Sequence, residues 1–265
     1  MACETGIIFP FHLLNITAQK QQNPFLATHG IRAFLRFQTS SAYQTVPVAK
    51  NSMTALGIQF NEVGSQDKEI PVKSLLSVDV PKPGTGANNL TDQIHVWTGA
   101  AWKKYYNQRN VGWVCVDQAD KTVETEDTVK VGDGVFFRRP GSATANITLS
   151  GEVCVNDATM GVDVAKNSMT FFAYPWPTSI AISNFYNYVS VPKSGTGANN
   201  LTDQVHVWAG AAWKKYFHSR SLGGYASADD TTKLTEDKIE SATCFFFRRP
   251  GSATATITFP RPEGL

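Results

Sequence analysis

Hydrophobic positions along this chain fall in short runs that alternate with polar residues and stop at glycine, proline, asparagine or serine. Alternation with a period of two marks a β-strand with one buried face, and the stops are turn residues. Residues 74–81 read as a strand closed by Pro81, and 83–89 as a loop. Residues 93–97 and 101–106 flank Thr98, Gly99 and Ala100, which is the pattern of a β-hairpin. A two-residue turn at Gly99 and Ala100 sets Trp97 directly across from Trp102, a pair worth ~0.5–1 kcal/mol beyond simple burial. Further strands are expected at 112–116, 135–139 and 145–155, the last bent at Gly151. Residues 117–127 are polar and acidic, and 131–134 and 140–142 are turns. No stretch of ten residues or more carries a clear helical period, although 19–37 is ambiguous. The pattern predicts an all-β chain, a sandwich or a partly open barrel.

The same pattern is written twice. Residues 84–104 return as 195–215, changed only at Ile94 (Val205) and Thr98 (Ala209). Residues 48–54 recur at 164–170, and 136–145 at 246–255. A period this long is a whole domain rather than a solenoid turn. Two tandem homologous modules follow, 29–152 and 153–265, behind an extension of residues 1–28. By this phase, 31–37 fill before the first copy the slot that 147–152 fill before the second. The strand between the copies is therefore expected to be shared, ending one module and opening the next. The second copy runs to its last residues with no such strand after it. In the extension, Ile7, Phe9, Phe11 and Leu13 alternate with Ile8, Pro10, His12 and Leu14, as an extended segment does. These observations together predict strand donation. The extension of one subunit completes the open edge of the second module in the next, and repetition gives a head-to-tail homopolymer. The competing reading packs the segment on its own module or leaves it disordered.

Composition narrows the partners. The chain has 265 residues, 42% hydrophobic and only 17% charged, so it is ordered and rather polar. A net charge of +2 supplies no field for nucleic acid or an acidic membrane. No apolar run approaches the ~20 residues of a membrane helix, since Pro10 and His12 interrupt the most apolar stretch. That stretch also reads poorly as a signal peptide, having no basic segment before it and no small-residue cleavage site after it. A chain that stays inside the cell and one that begins near a processed start both remain open at this point. Cys3, Cys115, Cys154 and Cys244 take no equivalent positions in the two copies and match no zinc spacing. They read as buried or incidental thiols, with a Cys154–Cys244 bridge the alternative in an oxidising compartment.

Candidate chemistry is thin. His95 and His206 recur beside Asp92 and Asp203, but three residues apart on a strand the two side chains point to opposite faces. They read as half-exposed strand histidines. The loop 84–89 lacks the spacing of a phosphate cradle, and its asparagines with Asp92 offer too few carboxylates for calcium. Arg138 and Arg139, with Arg248 and Arg249, point to opposite faces in turn and read as solvated or ion-paired. Asn15, Asn89, Asn146 and Asn200 are glycosylation sequons. The best binding candidates are Trp97, Trp102, Tyr105, Trp208, Trp213 and Tyr216, because aromatics on a β surface stack on sugar rings or anchor protein partners. One face of the hairpin packed in the core is the competing reading, and the more frequent one. No nucleophile, acid–base pair or metal cluster recurs, so no enzyme and no cofactor is expected.

The hairpin at 92–105, the segment 131–144 and the strand 148–153 resemble modules of uncharacterised secreted or surface proteins of environmental bacteria. Phage tail and fibre proteins carry similar Val-Trp-x-Gly-x-x-Trp hairpins. The resemblance implies an all-β protein with an extracellular or surface role, and it carries over no catalytic residue. The expected function is structural, a self-assembling surface filament or layer. The alternative is a carbohydrate- or receptor-binding module that uses the paired tryptophans.

Overall fold

The computed structural model describes residues 12–13, 41–62, 69–88, 90–141, 143–154, 157–199, 201–251 and 253–265. Eleven strands make the first half. They are β1 (His12–Leu13), β2 (Ser41–Val48), β3 (Ser52–Gly57), β4 (Glu69–Pro71), β5 (Ser77–Val78) and β6 (Gln93–Trp97), then β7 (Trp102–Gln108), β8 (Gly112–Cys115), β9 (Thr128–Lys130), β10 (Gly134–Arg139) and β11 (Ala145–Glu152). The second half holds β12 (Thr159–Val164), β13 (Ser168–Ala173), β14 (Ile180–Ala181), β15 (Gln204–Trp208) and β16 (Trp213–Ser219), then β17 (Gly224–Ser227), β18 (Lys238–Ile239), β19 (Cys244–Arg249) and β20 (Ala255–Pro260). Two short 3-10 turns, Val72–Ser74 and Ile182–Tyr188, are the helical pieces among the described residues.

The fold is all-β and sandwich-like, and among the described residues no sheet closes into a barrel. In the first half a five-stranded antiparallel sheet runs β3-β10-β6-β7-β8, and a second sheet runs β1-β2-β11-β5. In the second half the five-stranded order is β13-β19-β15-β16-β17, with β12 paired to β20. The small pairs β4-β9 and β14-β18 complete each half. The expected shared strand is two strands. β11 pairs with β2 and β5, while β12 opens the second half against β20. Each half thus closes its small sheet with its own last long strand.

The pleat explains the layers. Along β10, Val135, Phe137 and Arg139 point inward while Gly134, Phe136 and Arg138 point outward. Inward residues of the large sheet, Leu56, Ile94, Tyr105, Val135 and Phe137, share one core with Val46, Val48, Ile147 and Leu149 of the small sheet. Phe172, Val205, Tyr216 and Phe247 meet Val164, Ile257 and Phe259 in the same way.

The hairpin has the expected register, with Trp97 opposite Trp102 and the Thr98 amide donating to the Ala101 carbonyl at 2.9 Å. Gly99 sits at φ +93, a left-handed value that suits glycine. The expected strand at 74–81 is shorter, only β5. A 3-10 turn uses its start, where the Leu75 amide bonds the Val72 carbonyl and the Val72 amide bonds Asp127. Gly151 marks no break, for β11 pairs residue by residue with β2 through Glu152. Glycine is needed there because the Asn61 carbonyl lies where a Cβ would stand. The ambiguous stretch 19–37 lies outside the described residues.

Candidate functional site

The outward faces of the two five-stranded sheets meet. Gly134 lies against Cys244 and Phe171, and Gly57 lies against Ala173. Across this joint the Gly57 amide donates to the Ala242 carbonyl at 2.6 Å and the Ala173 amide to the Gly132 carbonyl at 2.7 Å. Because both glycines lack a Cβ, the two backbones approach closely enough to bond.

Around that contact sits an aromatic cluster to which both halves contribute. Phe136 stacks on Phe171 with ring centroids 5.2 Å apart, and Phe171 meets Phe246 at 4.6 Å. Trp97 and Trp102 pair at 5.0 Å, Trp208 and Trp213 at 5.2 Å. Each pair reaches across: Trp97 edges onto Phe246 at 5.8 Å, and Trp208 and Trp213 onto Phe136 at 5.9 and 6.0 Å. The Trp208 indole donates to the Met53 carbonyl at 3.1 Å. The six aromatics chosen from sequence therefore do not form one surface. The four tryptophans are half-buried in the joint, whereas Tyr105 and Tyr216 point the other way and are buried in the sandwich cores.

Those tyrosines end on a repeated polar triad. Tyr216 donates its hydroxyl to Asp237 at 2.6 Å, and Lys214 approaches the same carboxylate at 3.6 Å. In the first half Lys103 lies 2.8 Å from Asp127. Burial opposes ionisation of Asp127, but Lys103, Thr125 and Tyr105 together hold its carboxyl below the usual range. Burial, then Asp127, pushes the Tyr105 phenol up; burial, then Asp237, does so for Tyr216. The triad ties the acidic interval to the sheet and leaves no reactive group in excess.

Arg139 and Arg249, read from sequence as solvated or ion-paired, are ion-paired, and what the sequence did not show is their burial. Each is wholly buried in a 2.7 Å ion pair, Arg139 with Asp92 and Arg249 with Asp203. Asp92 also accepts the Lys82 amide at 2.8 Å, which fastens the loop 82–92 to the sheet. Burial pushes the carboxyls of Asp92 and Asp203 up, against the pull of the lysine amides and the guanidinium groups. The loop itself is closed. Thr91 donates to Gly86 at 2.8 Å, the Leu90 amide to Asn88 at 2.9 Å, and Gln93 to the Asn88 carbonyl at 2.7 Å. The same three bonds recur at Thr202, Leu201 and Gln204. These bonds among the described residues turn the Asn88 carbonyl and side-chain oxygen and the Gly86 carbonyl inward, onto the loop itself.

His95 bonds Gln93 at 3.0 Å, and its pKa is lowered to about 4 by burial and then by Lys104 and Arg138. His206 repeats this with Gln204, Lys215 and Arg248. Both imidazoles are thus neutral at pH 7. Among the described residues no three His, Cys, Asp or Glu side chains gather as metal ligands, and Cys115 and Cys244 are buried free thiols. No described helix is long and apolar enough to cross a membrane.

The second candidate region is the strand edge. β1 pairs with β2 in its own chain, His12 opposite Tyr43 and Leu13 opposite Ala42. Ile7, Phe9, Phe11 and Cys3 lie outside the described residues. β12, which takes the place of β2 in the second half, has β20 along one side and no ladder partner along the other among the described residues.

Fold and site together define an all-β sandwich-like protein whose halves share an aromatic joint. No family model, no curated protein and no solved structure matches this chain.

Proposed function

We propose that this chain is a structural protein of an extracellular or cell-surface assembly that associates head to tail into a filament or layer. The segment carrying β1 leaves the edge of β2 and adds to the outer edge of β12 in the next copy. One observation supports this reading: two equivalent strand edges occur in each chain, and one carries β1 while the other has no ladder partner among the described residues. A strand edge with unpaired amides and carbonyls is a template for another strand. Exchange of β1 trades one pairing for a similar one, so the extent of association is set by protein concentration.

Negative-stain electron microscopy with sizing over a range of concentrations tests it. Filaments or sheets that vanish on deletion of residues 1–28, with the folded core retained, are expected. Wild-type particles that stay at the 29.0 kDa monomer at high concentration overturn it. The alternative, glycan or receptor binding through paired tryptophans, is less well supported, because those indoles pack on the phenylalanines of the opposite half.

A further inference from the structure

Beside the joint the two halves leave a cleft of about 410 Å³ between them. Val46 and Pro47 of β2 and Ala55 on β3 line one side, and Trp208, Ala242 and Thr243 line the other. None of the lining residues is charged. Clefts of about 300–1,000 Å³ between packed units, mostly apolar with a few placed polar groups, are the usual sites of small ligands.

Strand geometry supplies the polar groups. β3 is the edge strand of its sheet. Alternate residues of such a strand turn both amide and carbonyl away from the neighbouring strand. On that outer side the Met53 carbonyl accepts the Trp208 indole N–H at 3.1 Å, and the Gly57 amide donates to the Ala242 carbonyl at 2.6 Å. Ala55 lies midway between them and faces the same way, and its amide and carbonyl find no partner across the cleft among the described residues. The half-buried hydroxyls of Thr54 and Thr243 in the lining also find none among the described residues. Ala242 is held at φ +55, where the first half has Gly132 at φ +95. A β-carbon disfavours this left-handed conformation, and strain of this kind collects at ligand sites.

We infer that this cleft binds one ring of a neutral sugar. A charged ligand would be buried against a lining that offers no counter-charge. A wholly apolar one would leave the Ala55 amide and carbonyl and two hydroxyls unpaired. A peptide cannot add to β3 as a strand, because the edge is occupied at Met53 and at Gly57 and only Ala55 is open between them. Neighbouring hydroxyls on a sugar ring are each donor and acceptor, so they match an amide and a carbonyl side by side. The C–H face of the ring suits the Trp208 indole on the facing wall. The site uses one indole beside a strand edge, not a surface of paired tryptophans. It is also single. The position equivalent to Ala55 across the joint is Phe171, whose ring is packed between Phe136 and Phe246.

Titration of the full chain with the methyl pyranosides of glucose, galactose and mannose tests this, read by tryptophan fluorescence and saturation-transfer NMR. Saturable binding of at least one of them, at one site per chain, is expected. Thr54→Val with Thr243→Val keeps the shape of the lining and should weaken binding about tenfold or more, as loss of hydrogen bonds does. Ala55→Pro removes an amide that no ladder bond uses and should abolish binding. Thr170→Val, at the position equivalent to Thr54 in the other copy, should bind like the wild type. Circular dichroism confirms that each variant is folded. The trisaccharide of the preferred sugar should bind within about tenfold of the single ring, since the cleft holds one ring. Absence of saturable binding at ~100 mM of all three sugars overturns the proposal. So does wild-type affinity in the Thr54/Thr243 variant, a second site per chain, or equal binding of methyl glucuronate, whose carboxylate the lining cannot pair.

Discussion

Asp92 and Arg139 show what a single residue pair decides here. Removing one partner leaves a buried uncompensated charge, which costs about 3–5 kcal/mol, whereas replacing both with apolar side chains of similar volume is often neutral or stabilising. Asp92→Asn is therefore expected to lower the urea midpoint by that order, with Asp203→Asn alike, while Asp92→Leu combined with Arg139→Met should hold or raise it. The histidines give a pH signature. Their folded pKa of about 4 lies below the ordinary 6.5, so the unfolded chain binds protons first as pH falls. The stability they contribute is fully present above pH 6.5 and is lost as pH drops toward 4. Melting temperature should fall from pH 7 to pH 5, and His95→Gln with His206→Gln should flatten that slope. At this scale the sequence was only half legible. The opposite faces of Arg138 and Arg139 follow from strand period, and so does the separation of Asp92 from His95. The ion pair joins β10 to the residue before β6, a long-range contact that no local pattern encodes. Its one trace is that both copies of the repeat keep the aspartate and the arginine.

The hairpins were the most legible elements, because a glycine turn between alternating residues fixes the register and so the Trp97–Trp102 pair. What they pack against was not legible, since the opposing surface comes from the other half of the chain. Trp208→Ala removes a ring packed on Phe136 and Trp213 and a bond to Met53, so it should cost about 2–3 kcal/mol, at the low end for a half-buried tryptophan. A chemical denaturation midpoint measures it; a loss below half a kcal/mol would mean that the indole contributes little to the joint. The shared strand misread the phase. One strand at 145–155 was expected to serve both halves, whereas β11 serves the first half and β12, which starts only at Thr159, serves the second.

For the whole molecule, the sandwich class followed from patterning, while the joint did not. Its contact rests on residues with little to show in a sequence, Gly57 and Gly134. Gly134→Ala places a Cβ 2.7 Å from that of Cys244 and 2.8 Å from the Phe171 ring, closer than real Cβ contacts allow. The expected loss is about 1–3 kcal/mol by overpacking. It should come with a change in tryptophan fluorescence, because the indoles border the displaced contact.

The two sides of that joint also differ in size. Where the first half presents Gly57 and Gly134, the second presents Ala173 and Cys244. Two copies of the first surface would face each other across a gap, and two of the second would collide. Hollow meets knob only when unlike sides come together, so the joint rejects like-with-like pairing. Neighbouring chains crowded in an assembly cannot mate through this surface unless they open and exchange halves. Any lattice they build has to grow from contacts elsewhere on the molecule.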